Sequence, residues 1–383
     1  MFTMSVSAFS IPAVPCRNPT QQNNRIMSID YRTYEATALL KRLIETPSIS
    51  REEKAAADII ETFLTEKRME VHRHGNNVWS ICSDYDEARP TVLLNAHIDT
   101  VKPVSGWTHD PFVAETTEDG RIYGLGSNDD GGSVVSLLQA FLHLCGSGHP
   151  RNYNVIFLAS CEEEVSGKNG IESVLPLLPE IVLGVVGEPT EMQPATAEKG
   201  LMVIDVTAHG KAGHAARDEG DNAIYKVLDD IKWISTYRFP KETALLGPVK
   251  TTVTIINAGT QHNVIPDKCT FTIDVRSNEC YSNEELFEEI SAHLRCEAKA
   301  RSFRLNSSRI SHTHPFVKRC EELGLKPFGS PTLSDQALMR FPSVKIGPGS
   351  STRSHTADEY IKIQEIEEAI RLYIKIFDSL HIE

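Results

Sequence analysis

Apolar residues recur at helical spacing over residues 31–67, where Leu39 and Leu43 fall on the same face. Residues three and four positions apart are neighbours on an α-helix, so this stretch predicts two amphipathic helices. The second helix is expected to begin after Ser50, a favourable N-cap residue, with Glu53 three positions later as its capping-box partner.

Short apolar runs alternate with amphipathic segments in the next part of the chain. The runs at 71–74, 78–82, 91–96, 154–159 and 181–186 predict β-strands, and residues 133–144 predict a helix. The run 154–159 is almost continuously apolar, as expected of a strand buried on both faces of a sheet. This order predicts an α/β domain in which a central sheet lies between helices.

The pattern changes after Lys199 and Gly200. Predicted strands at 201–209, 251–257, 270–276 and 299–305 are interleaved with predicted helices at 222–236 and 283–294. The resulting order, β-α-β-β-α-β, is that of a ferredoxin-like α+β unit. We therefore predict that residues 200–311 form a domain inserted into a first domain, which comprises residues 27–199 and 312–383.

The first domain resumes after the insertion with three further elements. A helix at 314–323, a strand at 343–346 and a C-terminal helix at 363–380 are predicted. Residues 1–26 are rich in Ser, Pro, Asn and Gln and lack the basic and apolar regions of a secretory signal. We predict that they form a disordered extension, or that they result from a start upstream of a natural start at Met27.

Composition and charge exclude several classes of function. The chain has 383 residues, 40% of them hydrophobic, and a formal net charge of −13 at pH 7. An acidic chain is a poor partner for nucleic acid or an anionic membrane surface, and no apolar run is long enough to cross a bilayer. We predict a protein that binds neither.

The eight cysteines form no CxxC pair and no zinc-finger spacing. They are expected to be reduced, mostly buried thiols of a cytoplasmic protein. Cys161 lies near the charged segments described next, but a cysteine nucleophile would leave those segments unexplained. The cysteines are Cys16, Cys82, Cys145, Cys161, Cys269, Cys280, Cys296 and Cys320.

Charged and imidazole side chains follow the predicted strands, where an open α/β sheet forms its sites. His97 comes directly after the strand at 91–96, and Asp99, two positions on, can orient its imidazole. Asp129 and Asp130 lie between glycines before the helix at 133–144. A phosphate would be repelled by two adjacent carboxylates, whereas one carboxylate can bridge two cations through its two oxygens.

Three further segments complete a pattern typical of a two-metal site. The triplet Glu162–Glu164 follows the buried strand at 154–159, and adjacent glutamates can divide the roles of metal ligand and proton acceptor. Glu188 follows the strand at 181–186. His355 follows the loop at 347–350, whose backbone amides could bind a carboxylate.

The order, spacing and flanks of these motifs closely resemble those of the co-catalytic zinc amidohydrolases. That family includes acetylornithine deacetylase, succinyl-diaminopimelate desuccinylase, aminoacylase and the carboxypeptidase G type. The resemblance runs from about residue 30 to the C-terminus, and it extends to the motifs at 210–214, 259–267 and 274–276 of the inserted domain. It implies a zinc-peptidase-like catalytic domain with a central mixed sheet, and an inserted lid and dimerisation domain.

The resemblance also implies roles for individual residues. His97 and Glu188 would hold one zinc ion, Glu164 and His355 the other, and Asp129 would bridge them. Two zinc ions per chain are implied, with cobalt or manganese as substitutes. One departure is Gly131, which stands where the family usually has a lysine.

Other residues would act on the substrate or the ligands. Asp99 would support His97, and Glu163 would be the general base, although Glu162–Glu163 could take the place of the pair Glu163–Glu164. His214 would reach the active site of the partner in a homodimer formed through the inserted domain.

The motif from Gly187 through Thr190 to Gly200 is most similar to acetylornithine deacetylase. It implies hydrolysis of an Nα-acyl amino acid, N-acetyl- or N-succinylornithine above all, to give ornithine for arginine biosynthesis. Succinyl-diaminopimelate desuccinylase and a dipeptidase or carboxypeptidase are the alternatives. The predicted substrate-binding residues are Arg276, Asn263, Gly349, Ser350, Lys199 and Arg353.

Overall fold

The computed structural model describes residues 28–146, 148 and 150–382. The extension predicted for residues 1–26 lies outside this part of the chain, as does Cys16. In the described residues no helix is both long and apolar enough to span a bilayer.

Eight α-helices occur in the described residues. They are α1 (Ile29–Ile44), α2 (Lys54–Glu66), α3 (Gly132–Gly146), α4 (Ile171–Val174), α5 (Ala223–Thr236), α6 (Asn283–His293), α7 (Pro315–Glu322) and α8 (Ile363–Phe377). Asn222 caps α5 by accepting a hydrogen bond from the backbone of Ile224. A capping box formed by Ser282 and Glu285 begins α6.

The predicted start of α2 is wrong. Glu53 is its N-cap and makes no side-chain capping hydrogen bond. The Ser50 hydroxyl instead donates to the Oδ2 atom of Asp99 at 2.7 Å. A short local motif could not reveal that a carboxylate 49 positions away competes for this hydroxyl.

The strands form two larger sheets and two ribbons. The strands are β1 (His72–His74), β2 (Asn77–Ile81), β3 (Thr91–His97), β4 (Arg121–Tyr123), β5 (Asn154–Ser160), β6 (Ile181–Val186), β7 (Ala195–Glu198), β8 (Met202–His209), β9 (Gly213–His214), β10 (Lys250–Ala258), β11 (Val264–Ile265), β12 (Lys268–Arg276), β13 (Glu297–Ala300), β14 (Ser308–Arg309), β15 (Phe328–Ser330), β16 (Ser343–Lys345) and β17 (Tyr360–Lys362). The ribbons pair β9 with β11 and β4 with β17.

The main sheet has nine strands and mixed direction. Its order is β1-β2-β5-β3-β6-β16-β7-β14, with β15 also paired to β7. The central strands β5, β3, β6 and β16 run parallel to one another. Their carboxyl ends therefore meet at one edge of the sheet, which is where an open α/β sheet forms its site.

Helices cover both faces of this sheet. All seven residues of β5 are buried, as the apolar run predicts. Helices α1, α3 and α8 pack together over one face, where they share a hydrophobic core with β3 and β5. A smaller apolar cluster that includes Leu93, Ile156 and Ile171 covers the other face. The predicted α/β architecture with a central mixed sheet is confirmed.

Strands β8, β10, β12 and β13 form a separate sheet of order β10-β12-β8-β13. With α5 and α6 they have the order and pairing of the predicted ferredoxin-like unit, and they enclose a hydrophobic cluster of their own. The last strand of this unit, β13, begins two residues before the predicted strand and ends at Ala300, five residues before its predicted end. Beyond it, the Arg304 side chain pairs with Glu172. The exact domain boundaries, residues 200–311, stay a prediction.

The prediction of reduced cysteines is wrong for one pair. Cys82 follows β2 and Cys145 lies in the last turn of α3, and the two form a disulfide with their Cα atoms 5.3 Å apart. They are 63 positions apart in sequence, so only the packing of α3 on the sheet brings them together. Cys161 is free and buried, and burial raises the pKa of its thiol to about 12. A thiol of that kind is a poor nucleophile.

Candidate metal centre and substrate cavity

The predicted metal ligands lie at the edge where the parallel strands end. His97 is the last residue of β3, and Glu163 and Glu164 follow β5 after a two-residue turn. Glu188 lies two residues beyond β6. His355 comes after the loop that leaves β16. Parallel pairing therefore brings together side chains from four distant parts of the sequence.

His97 is fixed by its Nδ1 atom and directs Nε2 into the centre. Nδ1 lies 3.0 Å from the backbone oxygen of Asp99 and 3.5 Å from its Oδ1 atom. Nε2 lies 3.2 Å from Oδ1 of Asp129. An imidazole whose second nitrogen is anchored in this way has the usual arrangement of a metal-binding histidine.

Asp99 also holds parts of the site other than His97. Its carboxylate accepts hydrogen bonds from the backbone amides of Glu163 and Glu164 at 3.0 and 3.1 Å. It also accepts the Ser50 hydroxyl. Burial opposes ionisation of this carboxyl, but its hydrogen bonds with His97 and Ser50 outweigh burial and lower its pKa. Asp99 therefore joins the histidine of β3 to the glutamates after β5.

Asp129 lies between the two histidines. Its Oδ1 atom faces Nε2 of His97, and its Oδ2 atom lies 3.7 Å from Nε2 of His355. Nε2 of His355 is also 3.0 Å from Glu164, and this contact raises the pKa of His355 to about 9. One carboxylate with each oxygen facing a different histidine has the arrangement that a bridging ligand requires.

The glutamate triplet points in two directions. The Oε2 atom of Glu163 lies 3.9 Å from Nε2 of His97. Glu162 has a left-handed backbone with φ of 56°, and its carboxylate accepts a hydrogen bond from the Asn169 amide at 2.9 Å. Glu163 and Glu164 thus face the centre, whereas Glu162 is directed towards the loop at 167–170.

The donor set fits divalent metal ions. Two groups of ligand atoms, one from His97, Asp129 and Glu164 and one from His97, Glu163 and Glu188, each lie within 4.8 Å of one another. Burial, followed by the charge of neighbouring carboxylates, raises the pKa of Glu163, Glu164 and Glu188. Converging buried carboxylates are unfavourable unless cations or protons offset their charge. Mixed imidazole and carboxylate ligands suit zinc and its neighbours in the first transition row.

Two buried residues that the sequence did not identify hold the Asp129 loop. Glu359 accepts hydrogen bonds from the backbone amides of Gly126, Asn128 and Asp129 at 3.1, 2.8 and 2.9 Å. Asn128 exchanges hydrogen bonds with the backbone of Ser350, which ties this loop to the one carrying His355. The sequence signal for Glu359 is an acidic residue four positions after His355 and directly before β17.

The backbone of the loop at 347–350 passes very close to the side chain of Asn128. Gly349 has φ of +81°, and a Cβ atom there would lie 2.3 Å from the Oδ1 atom of Asn128. Only glycine fits this position. The amide of Ser350 donates to Asn128 at 3.0 Å, so it is already used within the protein.

A cavity of about 620 Å³ opens beside the predicted metal ligands. Asp129, Glu163, Glu164, Glu188 and His355 lie along one side of it. The remaining walls come mainly from two chain segments, residues 189–193 and 326–333. The cavity therefore adjoins the groups that could hold metal ions.

Three of the predicted substrate-binding residues lie outside this cavity and have partners within the protein. The Lys199 ammonium donates to the backbone oxygen of Pro248 at 2.7 Å. Arg353 makes two hydrogen bonds with Glu365, and Arg276 makes two with Asp274. Of the six predicted substrate residues, only Ser350 lines the cavity beside the metal-binding residues.

His214 and Asn263 lie close together, away from that cavity. His214 belongs to β9, which pairs with β11, and the backbone oxygen of Asn263 accepts a hydrogen bond from Ala215 at 3.0 Å. Both side chains are exposed. The described chain leaves them available to a group from outside it.

Two known proteins are similar to this chain over most of its length. The chain is 27% identical over 349 residues to succinyl-diaminopimelate desuccinylase of Corynebacterium glutamicum, with 86% of this chain and 92% of that protein covered. It is 27% identical over 367 residues to acetylornithine deacetylase of Edwardsiella ictaluri, with 85% and 92% covered.

A solved structure shows the same fold. It is a dinuclear metal-binding peptidase of the M20 family from Bacillus subtilis, which superposes with a TM-score of 0.70 at 18% identity and covers 91% of this chain and 98% of its own. The family model described as Peptidase family M20/M25/M40 matches residues 93–379, which contain every predicted metal ligand. The chain therefore belongs to the peptidase family M20/M25/M40 and is a metal-dependent amidohydrolase.

Proposed function

We propose that this chain hydrolyses the amide bond of an Nα-acyl amino acid at a centre of two metal ions. The observation that carries the proposal is the placement of Asp129 between two histidines, with its oxygens 3.2 Å from His97 and 3.7 Å from His355. His97 and Glu188 would hold the first ion and Glu164 and His355 the second. Zinc is the proposed metal, at two ions per chain, with cobalt or manganese as substitutes.

Metal ions held there would supply Lewis acidity, lowering the pKa of water and polarising a carbonyl oxygen. Glu163 would accept the proton of the attacking water and pass it to the leaving amine. It can do so because its carboxylate lies 3.9 Å from His97 while Glu162 is held by Asn169. Asp99 would keep both His97 and the backbone of Glu163 in position.

We propose N-acetyl- or N-succinylornithine as the substrate, giving ornithine for arginine biosynthesis. The similarity to acetylornithine deacetylase over most of the chain supports this choice. The equal identity to a succinyl-diaminopimelate desuccinylase supports that reaction as the second candidate. A dipeptidase or carboxypeptidase activity is the remaining alternative.

A substrate panel tests this proposal. The zinc-loaded enzyme is assayed with N-acetylornithine, N-succinylornithine, N-succinyl-diaminopimelate and a dipeptide, and kcat/KM is compared. The proposal expects one of the two ornithine derivatives to have the highest kcat/KM. A higher kcat/KM for succinyl-diaminopimelate would establish the second candidate, and turnover of the dipeptide alone would overturn deacylation.

Arg276 is proposed to bind the α-carboxylate of the substrate, together with Asn263 and the backbone of Gly349 and Ser350. Its pair with Asp274 uses Nε and Nη2 and does not occupy Nη1. Because these groups come from two parts of the chain, binding would draw the ferredoxin-like unit towards the main sheet and exclude water. Lys199 and Arg353 are proposed only as secondary contacts, since both already have internal partners.

Arg276→Lys keeps the charge but loses the planar fork that matches a carboxylate. We expect kcat/KM to fall about 10–100-fold for the free acid, the loss of a charged hydrogen bond. The α-amide analogue of the same substrate should lose much less, because it has no carboxylate. Equal losses for both compounds would assign Arg276 to the fold rather than to the substrate.

A homodimer formed through the ferredoxin-like unit is proposed, and its exposed apolar surface supports it. Strand β10 is an edge of the four-stranded sheet, and Ile255 and Ile256 on it are 50% and 53% exposed. Tyr225 and Leu228 on the neighbouring helix α5 are also exposed. An open edge with apolar side chains is a ready site for pairing with a second copy.

In such a dimer His214 would donate a hydrogen bond to the oxyanion in the partner's active site. His214→Ala should then lower kcat by about 10²–10³ without loss of metal. Mixing His214→Ala subunits with Glu163→Gln subunits should restore activity. Each mixed dimer then has one intact site, with Glu163 from one subunit and His214 from the other. If subunit exchange is confirmed and no activity returns, the role in trans is excluded.

A cytoplasmic location is also proposed, on the basis of the relatives and the sequence. The Cys82–Cys145 disulfide bears on it, because the cytoplasm of most organisms reduces disulfides. In a reducing cytoplasm, alkylation of the protein in intact cells followed by mass spectrometry should find these two thiols reduced, although the fold brings their sulfur atoms within bonding distance. A fully oxidised pair would contradict the proposed location.

A further inference from the structure

A buried ion pair lies behind the substrate cavity and has no part in the mechanism above. Lys345 is the last residue of β16, is 1% exposed and lines the cavity. Its ammonium lies 3.3 Å from Oε2 of Glu198, which ends β7 and is fully buried.

Lys345 has no donor left for a substrate anion. Its ammonium donates to the backbone oxygen of Thr332 at 3.2 Å and to the hydroxyl of Thr332 at 3.0 Å. With Oε2 of Glu198 at 3.3 Å, the ammonium thus has three acceptor atoms of the protein around it, as many as it has N–H groups. Lys345 therefore acts through Thr332 rather than by touching a ligand.

The Glu198 carboxylate binds Ser334, two residues after Thr332. Its Oε1 atom accepts the backbone amide of Ser334 at 3.2 Å, and its Oε2 atom accepts the Ser334 hydroxyl at 2.8 Å. Next along the chain, the carboxylate of Asp335 accepts the hydroxyl of Ser160 at 2.7 Å. Residues 330–335, the wall segment, are thus attached at three successive points to β16, β7 and β5.

The wall segment needs these contacts because it has little regular structure of its own. Residues 331–334 belong to no helix or strand. Residues 330–333 nevertheless line the same cavity as the carboxylates predicted to bind metal. A buried ion pair gives little net stability compared with apolar side chains of similar size, so stability is a weak reason for it.

We propose that Lys345 and Glu198 are positioning residues that fix the wall segment against the metal centre and so set the affinity for the substrate. The effect on catalysis rests on the proposed function. The effect on the wall segment does not, and it can be measured in the absence of any substrate.

The test compares the variants Lys345→Met, Glu198→Met and the double variant with Arg32→Met. Each single change at the pair leaves one buried charge unpaired and should lower Tm, whereas the double variant should regain most of it. Arg32 is the matched control, since it is a 3% exposed cation that hydrogen-bonds Gln139 on α3, on the far side of the sheet core. All four zinc-loaded proteins are also measured for bound metal.

Two readouts separate positioning from a purely structural role. In the double variant, hydrogen exchange of the wall-segment amides, those of residues 330 and 332–335, should become faster, while exchange elsewhere and the zinc content stay as in the wild type. KM should rise about tenfold, the equivalent of about 1.4 kcal/mol of binding, with kcat changed by less than about threefold. Arg32→Met should lower Tm and leave both KM and the exchange of 330–335 unchanged.

Unchanged exchange at 330–335 in a folded double variant would overturn the proposal, whatever the substrate. Loss or gain of zinc in that variant would also overturn it, because Lys345 would then act on the charge of the metal centre. If exchange rises but no acyl amino acid is turned over, the wall segment is held as proposed and the proposed function is the part that fails.

Discussion

Glu163→Gln is expected to lower kcat by about 10³-fold or more while the fold and the bound metal are retained. A glutamine of the same shape cannot accept the proton of the attacking water, and general-base catalysis contributes about 10²–10⁴-fold. The measurement is kcat for the best substrate of the panel, with zinc content determined on the same sample.

Glu162→Gln is the matched control for this change. It alters the neighbouring carboxylate, which is bound to Asn169 and directed away from the centre. Its kcat should stay near that of the wild type. Near-normal turnover by Glu163→Gln together with an inactive Glu162→Gln would reverse the assignment. Loss of one zinc from Glu163→Gln would make Glu163 a ligand, a role that its closeness to His97 and Glu188 permits.

Asp129→Ala is expected to abolish activity and to reduce the metal content at both positions. The two oxygens of Asp129 face different histidines, so removal of this one side chain takes a ligand from each ion. Elemental analysis of the purified variant gives zinc per chain. His355→Ala is the comparison, and it should lose the second ion only. Two zinc ions per chain in Asp129→Ala would exclude the bridging role.

The position of the centre follows from local sequence patterns. His97 ends an apolar strand, and Glu163, Glu164 and Glu188 lie within four residues after one. Parallel pairing of those strands then puts the side chains at one edge of the sheet. Such a site is visible in sequence because each ligand is marked by the strand before it, even though the ligands are far apart.

The supporting contacts were not predictable in this way. Ser50 reaches Asp99, and Glu359 reaches the Asp129 loop from a segment 230 positions away. No strand or motif marks Ser50 as a partner of the site, and the position of Glu359 directly before β17 does not show which backbone amides its carboxylate binds. The Cys82–Cys145 disulfide has the same origin, because it depends on how α3 packs on the sheet.

The prediction of substrate-binding cations failed for a different reason. The side chains of Arg353 and Lys199 are near the motifs in sequence, but each has a partner within the protein, Glu365 for Arg353 and the Pro248 carbonyl for Lys199. A sequence shows that a charge is present without showing whether a neighbour already neutralises it. Lys345 was not predicted to be near the substrate, yet it lines the cavity.

Anomalous scattering at the zinc edge from crystals of the zinc-loaded protein tests the central claim most directly. The account predicts two peaks per chain, on either side of the Asp129 carboxylate, one beside His97 and Glu188 and the other beside Glu164 and His355. A single peak, or a peak whose ligands do not include Asp129, would contradict a two-metal centre at this edge of the sheet.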